Sequence, residues 1–395
     1  MSELTLSIIA RLPEETLRVR SLVESFAQRE RVRVTIEDYT WDTVRQALNR
    51  TAIYNQGPDI SQVASTWLRD FVEMKAIHAL SPLEIRQFEP IKDFVPAAWE
   101  STQVFHDGTV WGIPWLIDAR ILFYRRDLLK RLGIDERGAF ATPAALEETL
   151  ARLQTGGVAI PWVIPTEFSW RTLHTVASWL WAYQADFLNP DGKRILFTSA
   201  PALAAFKDFF RTARYLPKEY SAGISDVQSD ALFMQGKAAV TISGPWIMNM
   251  DPELLTHVGV TSPPGPAFIG GSHLMIWEHT RHLRQALNLA AYLTNMESQR
   301  RHGFQGLLPS RLSVLDIVNI PNREFSLYLG QVLQNGRAFP NFHFWALIEE
   351  RLSQTLGQIW QEVLKLPDLK DEALEEVLLR HLEALAQRLD VMLGN

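Results

Sequence analysis

The sequence predicts an α/β protein whose sheets are doubly wound and mostly parallel, and three features carry that expectation. From Leu4 to the strand that begins at Asp59-Ile60 the chain alternates strand, helix, strand, helix, strand. Such alternation closes as a parallel sheet with right-handed crossovers. Residues 226–246, DVQSDALFMQGKAAVTISGPW, read as helix, tight turn, buried strand and Gly-Pro turn. Two stretches stiffened by glycine and proline, 110–118 and 262–266, break the alternation where a chain would pass from one folding unit to another.

Taken in order, Leu4–Ile9 is a strand, and Glu14–Gln28 is an amphipathic helix opening after Pro13, with Leu17, Leu22, Val23 and Phe26 apolar. Val32–Ile36 is the second strand and Trp41–Tyr54 the second helix, which Gly57-Pro58 stops. The loops after these strands carry Arg11, Glu14, Asp38, Trp41, Ser65, Thr66 and Trp67, on the carboxyl edge where open α/β sheets bind ligands. Trp67 serves either that edge or the packing of its own helix. Residues 110–118 hold Trp111, Gly112, Pro114, Trp115 and Asp118 ahead of a strand from Ile121 to Tyr124. A plain surface turn explains the glycine and proline but not the two indoles.

Thr142-Pro143 caps and starts a helix that Gly156-Gly157 ends. After the strand Val158–Val163, the segment Pro165–Trp181 delivers Glu167, Trp170, Trp179 and Trp181. Trp170 comes first after the loop and is a ligand candidate; Trp179 and Trp181 share a helical pattern with Val176 and Leu180 and are expected in the core. Val227, Ala231, Leu232 and Met234 fall on roughly one helical face, Gly236 supplies a left-handed stop, and Ala238–Ile242 suits a strand buried on both faces. Ser243-Gly244-Pro245 turns the chain and leaves Trp246 at the strand's carboxyl end. The last helix, Asp371–Leu393, carries Leu374, Val377, Leu378, Leu382, Leu385 and Leu389 in one stripe.

Composition narrows the function. The net charge of -6, from 39 basic and 45 acidic residues with no long run of either sign, argues against nucleic acid and against a polybasic membrane patch. The absence of cysteine removes disulfides, thiolate catalysis and thiolate metal sites. No apolar run reaches the roughly 18 residues of a membrane span. The opening MSELTLSIIARLPEE has neither a basic n-region nor an apolar h-region of signal-peptide length. The 13 tryptophans are more than packing asks for, because a buried indole needs a partner for its N–H, and they point to aromatic binding surfaces.

Catalytic and cofactor motifs are missing. Gly265–Ser272, GPAFIGGS, mimics a phosphate-binding loop, but Gly271 occupies the lysine position. His279 and His282 lie beside Arg281 and Arg284, a poor setting for a dication. No metal and no cofactor is expected. Asp38, Asp118 and Glu167 remain as cleft acids. They either run acid–base chemistry, as paired carboxylates can, or accept hydrogen bonds from a bound ligand; nothing marks one as acid and another as base, which favours binding over an enzyme.

The stretch F..GKAAV.ISGPW, residues 233–246, resembles the bacterial solute-binding proteins of ABC importers, in the group that binds maltose and other oligosaccharides. The resemblance continues through GPDI before Trp67, through the G.P...D...L.Y segment from Gly112 to Tyr124, and through the turn Phe187–Gly192. There Gln184 stands where many relatives have glycine. It runs on through Gly270-Gly271, A...A.YLT, Gln299 with G..P.R from Gly306 to Arg311, and the tail from Gly336.

The resemblance implies a two-lobed periplasmic-binding-protein fold with three crossings. Residues 1–113 and 265–315 are expected in the N-terminal lobe, and 114–264 and 316–395 in the C-terminal lobe, with a ligand cleft between them. It implies contacts from Trp41, Thr66, Trp67, Gly271 and His273 on the first lobe, and from Trp115, Asp118, Glu167, Trp170, Trp246 and Arg337 on the second. Arg337 either points at the cleft or lies on the surface. The function implied is that of a monomeric, non-enzymatic carbohydrate carrier that closes on its sugar and delivers it to a permease. Family members are exported, so an extracytoplasmic location is implied; a cytoplasmic sensor with the same fold and a glycoside-processing enzyme are the alternatives.

Overall fold

The computed structural model describes residues 3–10, 13–104, 107–302, 306–317, 323–366 and 369–394. Its strands are β1 (Glu3–Ile9), β2 (Arg33–Tyr39), β3 (Ile60–Ala64), β4 (Ile113–Ala119), β5 (Ile121–Arg125), β6 (Ile160–Val163), β7 (Ala238–Ser243), β8 (Val258–Thr261), β9 (Ile269–Ile276) and β10 (Leu308–Pro309). They form two sheets, ordered β10-β4-β9-β3-β1-β2 and β6-β7-β5-β8.

Both sheets are mixed, not mostly parallel. β1 pairs parallel with β2 and β3, and β6 with β7. The pairs β3·β9, β4·β10, β5·β7 and β5·β8 are antiparallel. The reason lies in the connections. A helical crossover obliges consecutive strands to run parallel. Strands β4, β5, β8 and β9 instead lie where the chain leaves or enters a folding unit, and no such crossover fixes their direction.

Two compact units result: residues 1–118, 269–320 and 338–343 form the first, and 119–268, 321–337 and 344–395 the second. The boundaries fall a few residues beyond the expected 113/114, 264/265 and 315/316, and the short segment 338–343 returns to the first unit. Asn341 ties it there by donating to the carbonyl of Ser101 at 2.6 Å. The third passage, near 312–320, lies partly outside the described residues.

In the first unit, side chains alternate across the sheet and both faces are covered. Leu274 and Ile276 of β9 pack with Leu4, Leu6 and Ile8 beneath the helices Pro13–Glu30 and Leu283–Thr294. Met275 and Trp277 pack with Val44, Leu48, Val63 and Phe71 on the other face. The motif from Gln299 to Arg311 is a structural knot in this unit. Gln299 donates to the carbonyl of Trp115 at 3.1 Å and to Ser310 Oγ at 2.7 Å, while accepting from the backbone of Arg311 at 3.1 Å.

The second unit buries most of its indoles. Trp162, Trp179, Trp345 and Trp360 are fully enclosed, and Trp179, Phe209, Phe210 and Trp360 meet ring to ring at 4.7–5.5 Å. Trp181 is 6% exposed, so both Trp179 and Trp181 are core as the helical pattern indicates. Thr142 caps its helix by accepting from the Ala145 N–H at 3.1 Å. The helix Asp226–Met234 closes as expected at Gly236 (φ 71°), with Lys237 N–H bonded to Leu232 and Gly236 N–H to Phe233.

The helix Trp170–Ala182 ends in the same motif, Ala185 N–H to Leu180 and Gln184 N–H to Trp181. Here the left-handed residue is Gln184, at φ 55°. A side chain there costs about 1 kcal/mol that glycine avoids, offset in part by the looser unfolded chain of a glycine. Gln184→Gly is therefore expected to raise stability by roughly 0.5 kcal/mol, read as a higher urea midpoint at unchanged slope; a lower midpoint contradicts this account of the turn.

Candidate functional site

The carboxyl edge of the parallel strands places functional groups in each unit. In the second unit β7 ends at Ser243 and the turn Pro245–Asn249 presents Trp246. Because β5 runs antiparallel to β7 with Ile121 opposite Ser243, Arg120 stands at this same edge. The loop after β6 brings Phe168, Ser169, Trp170 and Arg171 to the edge as well, since β6 is parallel to β7.

Around Trp246 the geometry is specific. Its ring is half-buried, and its Nε1–H donates to Asp230 Oδ2 at 2.7 Å. The same oxygen accepts from Arg171 Nη1 at 2.8 Å, and Asp230 Oδ1 accepts from Ser243 Oγ at 2.6 Å. The guanidinium carbons of Arg171 and Arg120 lie 4.5 and 5.2 Å from the ring centre, within cation–π range. Gly244 leaves room for the indole: a Cβ there would fall 2.1 Å from two ring carbons. Arg171 also faces Asp226 at 3.6 Å, and Asp226 accepts from Ser169 Oγ at 2.7 Å. Trp170 is 38% and Phe168 54% exposed, and they form an edge-to-face pair at 6.2 Å. Glu167 is exposed in the same loop.

In the first unit the equivalent edge holds a second aromatic pair. Trp41, 40% exposed, opens its helix, and Trp67 closes the turn Ser65–Trp67; the rings meet edge-to-face at 6.0 Å. Arg45 lies 5.3 Å from the Trp67 ring and pairs with Asp70 at 3.4 Å. Thr66 is half-buried and Ser65 buried. A pocket beside Trp41 is lined by Ile8, Ile9, Ala10, Gln62, Trp115 and Leu116. Gln62 is held within the protein, accepting from Ile9 N–H and donating to Ser272 Oγ, each at 2.8 Å.

Several expected contacts have other work. Trp115, expected in the second lobe, belongs to the first unit and is 1% exposed, so it bounds that pocket from the core and offers no open ring face. Asp118 is the penultimate residue of β4 and is likewise in the first unit. Gly271 (φ 122°) is glycine because a Cβ would strike the Leu116 carbonyl of β4 at 2.1 Å. Arg337 is paired with Asp186 and covers the Trp181 ring at 4.9 Å, so it braces the second unit. Asp38 is exposed and pairs with Arg20 at 3.5 Å. Strands β9, β3 and β1 separate β4 from β2, which puts Asp118 roughly 19 Å from Asp38 across the sheet, too far for a glycosidase pair. Arg11 lies outside the described residues; so does the side chain of Glu14, whose backbone sits in the first helix.

His273 is a core residue, 1% exposed. Its Nε2 lies 2.9 Å from Ser101 Oγ, whose own hydrogen goes to the Ala98 carbonyl, so Nε2–H is the donor and the ring is neutral. Burial pushes its pKa down to about 3. The unfolded chain binds a proton near pH 6.5 that the folded chain refuses, so this contribution is intact above about pH 6.5 and stability is lost as pH falls from there toward 3. At pH 5 the loss is about 2 kcal/mol. His273→Asn is expected to flatten the decline in unfolding free energy between pH 7 and pH 5 by that amount; parallel declines in both proteins would contradict it.

Sequence reading missed Arg120, Phe168, Arg171 and Asp230. Only Asp230 left a trace, as an acid directly before the apolar run Ala231–Met234. Among the described residues no group of acids and histidines could hold a metal ion, and no helix is long and apolar enough to cross a membrane.

Comparison with known proteins agrees with this architecture. A protein of Brucella abortus strain 2308, named only as a binding protein, is 23% identical over 342 residues, covering 83% of this chain and 81% of its own. The sugar-binding protein MalE of Xanthomonas citri superposes with a TM-score of 0.79 at 22% identity, over 98% of this chain and all of MalE. An ABC transporter solute-binding protein of Thermotoga lettingae, bound with α-D-tagatose, superposes with a TM-score of 0.77 at 18% identity over the whole of both chains. The fold is therefore the two-lobed periplasmic-binding-protein fold. Residues 21–324 match the family model described as bacterial extracellular solute-binding protein, and the chain belongs to that family.

Proposed function

We propose that this protein is the substrate-binding component of an ABC importer, that its ligand is a carbohydrate, an oligosaccharide or sugar derivative, and that it binds without turnover. The observation that carries the reading is Trp246. Its N–H is committed to Asp230, so what it offers a ligand is the part of the half-buried ring that Arg171, Arg120 and Gly244 leave uncovered, edged by Arg171. A pyranose has an apolar face and a polar edge and suits that combination. The aromatic pairs Trp41–Trp67 and Phe168–Trp170 extend the same chemistry in each unit. Relatives named for sugar binding support the ligand class.

In this reading a permease in the membrane receives the sugar from the loaded protein on its extracytoplasmic side. The separation of Asp38 from Asp118 supports binding over hydrolysis. The test is to incubate the protein with mono-, di- and trisaccharides, remove unbound sugar, and analyse what is released by mass spectrometry. Intact sugar in stoichiometric amount supports the proposal; cleavage products would make the protein a hydrolase or lyase.

A further inference from the structure

We infer that Asp230 is a positioning residue of the ligand site: it sets where both Trp246 and Arg171 stand, without contacting ligand itself. Asp230 is 8% exposed, and its carboxylate is filled by three protein donors. Ser243 Oγ takes one oxygen at 2.6 Å; Trp246 Nε1 and Arg171 Nη1 share the other at 2.7 and 2.8 Å. Charge-assisted bonds of this length are the strong ones, and a carboxylate so occupied has little left for a sugar hydroxyl.

The three donors come from separate elements: the end of β7, the Pro245–Asn249 turn and the helix Trp170–Ala182. Asp230 thereby ties three elements together at one carboxylate. Its own place is firm, since the helix Asp226–Met234 begins with a Ser225–Gln228 capping box and ends at Gly236. On the other side the indole lies against Gly244. Held between the carboxylate and this glycine, Trp246 is restricted in orientation, which is the preorganisation that tight binding rewards.

That Trp246 then meets a sugar rests on the function proposed above. Its placement is read without any ligand, so failure of sugars to bind and failure of Asp230 to place the ring are separate results. The experiment records indole ¹H–¹⁵N spectra of the full chain with no sugar added, with Trp246→Phe identifying the Trp246 resonance. Asp230→Ala removes all three bonds and is expected to move that resonance upfield or broaden it away while the other indoles stay in place. Asp230→Asn is isosteric; its amide oxygen can accept from Trp246 and Arg171 while its NH2 donates to Ser243. It is expected to give a smaller upfield shift, because a neutral acceptor replaces a charged one, with the line remaining sharp. It also serves if the alanine variant does not fold. A Trp246 resonance unmoved in either folded variant overturns the inference, and so does a shift spread evenly over all the indoles, which would mark a general loss of packing.

Discussion

Arg311→Ala is expected to lower the stability of the first unit by about 3–5 kcal/mol, the range found when one partner of a buried ion pair is removed. The side chain is 3% exposed and satisfies three backbone carbonyls: Thr294 at 2.6 Å, Phe88 at 2.8 Å and Pro90 at 3.3 Å. It also pairs with Asp93 at 3.5 Å and lies 4.1 Å from the Phe94 ring centre. Burial lowers its pKa from the ordinary arginine value, with Asp93 opposing. Alanine takes the arginine donors from the Thr294 and Phe88 carbonyls, leaves Pro90 with only the Asp93 N–H, and leaves Asp93 without its cation. Lysine is no substitute, because one ammonium on a flexible stem cannot reach a set of acceptors arranged for a planar fork. Urea unfolding followed by circular dichroism measures the loss, and a change below about 1 kcal/mol would contradict this role.

Trp246→Ala is expected to weaken sugar binding roughly five- to hundredfold in a protein that still folds. Stacking of a ring on an aromatic side chain is worth on the order of 1–3 kcal/mol, and each 1.4 kcal/mol is about a factor of ten. Folding survives because Asp230 keeps Ser243 and Arg171 as donors when the indole is removed. Trp246→Phe separates the two parts of the indole's role: it retains an aromatic face and loses the N–H that positions it. Intermediate affinity for phenylalanine is the expected order, measured by calorimetric titration; unchanged affinity in folded Trp246→Ala would remove this residue from the site.

Element order was legible because the cues are local. Periodicity marked the first βαβαβ run and the last helix, glycine marked the turn at Gly236, and Thr142-Pro143 marked a cap. Strand direction was legible for β1, β2 and β3, which helical crossovers make parallel, but not for β4, β5, β8 and β9, since pairing there depends on where a chain returns from another unit, and no local pattern records that. In the helix 226–234 the apolar count placed Val227 inward, yet Val227 is 77% exposed while Ser229 and Asp230 are buried. Hydrophobic periodicity cannot register a buried acid whose donors lie 13, 16 and 59 residues away in the chain.

The candidate site shows the same division. Residues directly after the parallel strands, Trp41, Thr66, Trp67 and Trp246, stand at the strand edge because the sheet rule is local to each strand end. Trp115, His273 and Arg337 looked equally suited by residue type, but core packing, Ser101 and Asp186 claim them. Burial is a property of the whole unit, and a motif read along the chain does not contain it.

The most direct test of the central claim is a titration of the protein's intrinsic tryptophan fluorescence with a panel of mono-, di- and trisaccharides. Trp246, Trp41 and Trp170 are placed to report a ligand at the strand edges. The account predicts a saturable change for at least one sugar, attenuated in Trp246→Phe. Flat titrations across the whole panel would contradict the carbohydrate reading and leave only the fold and the family standing.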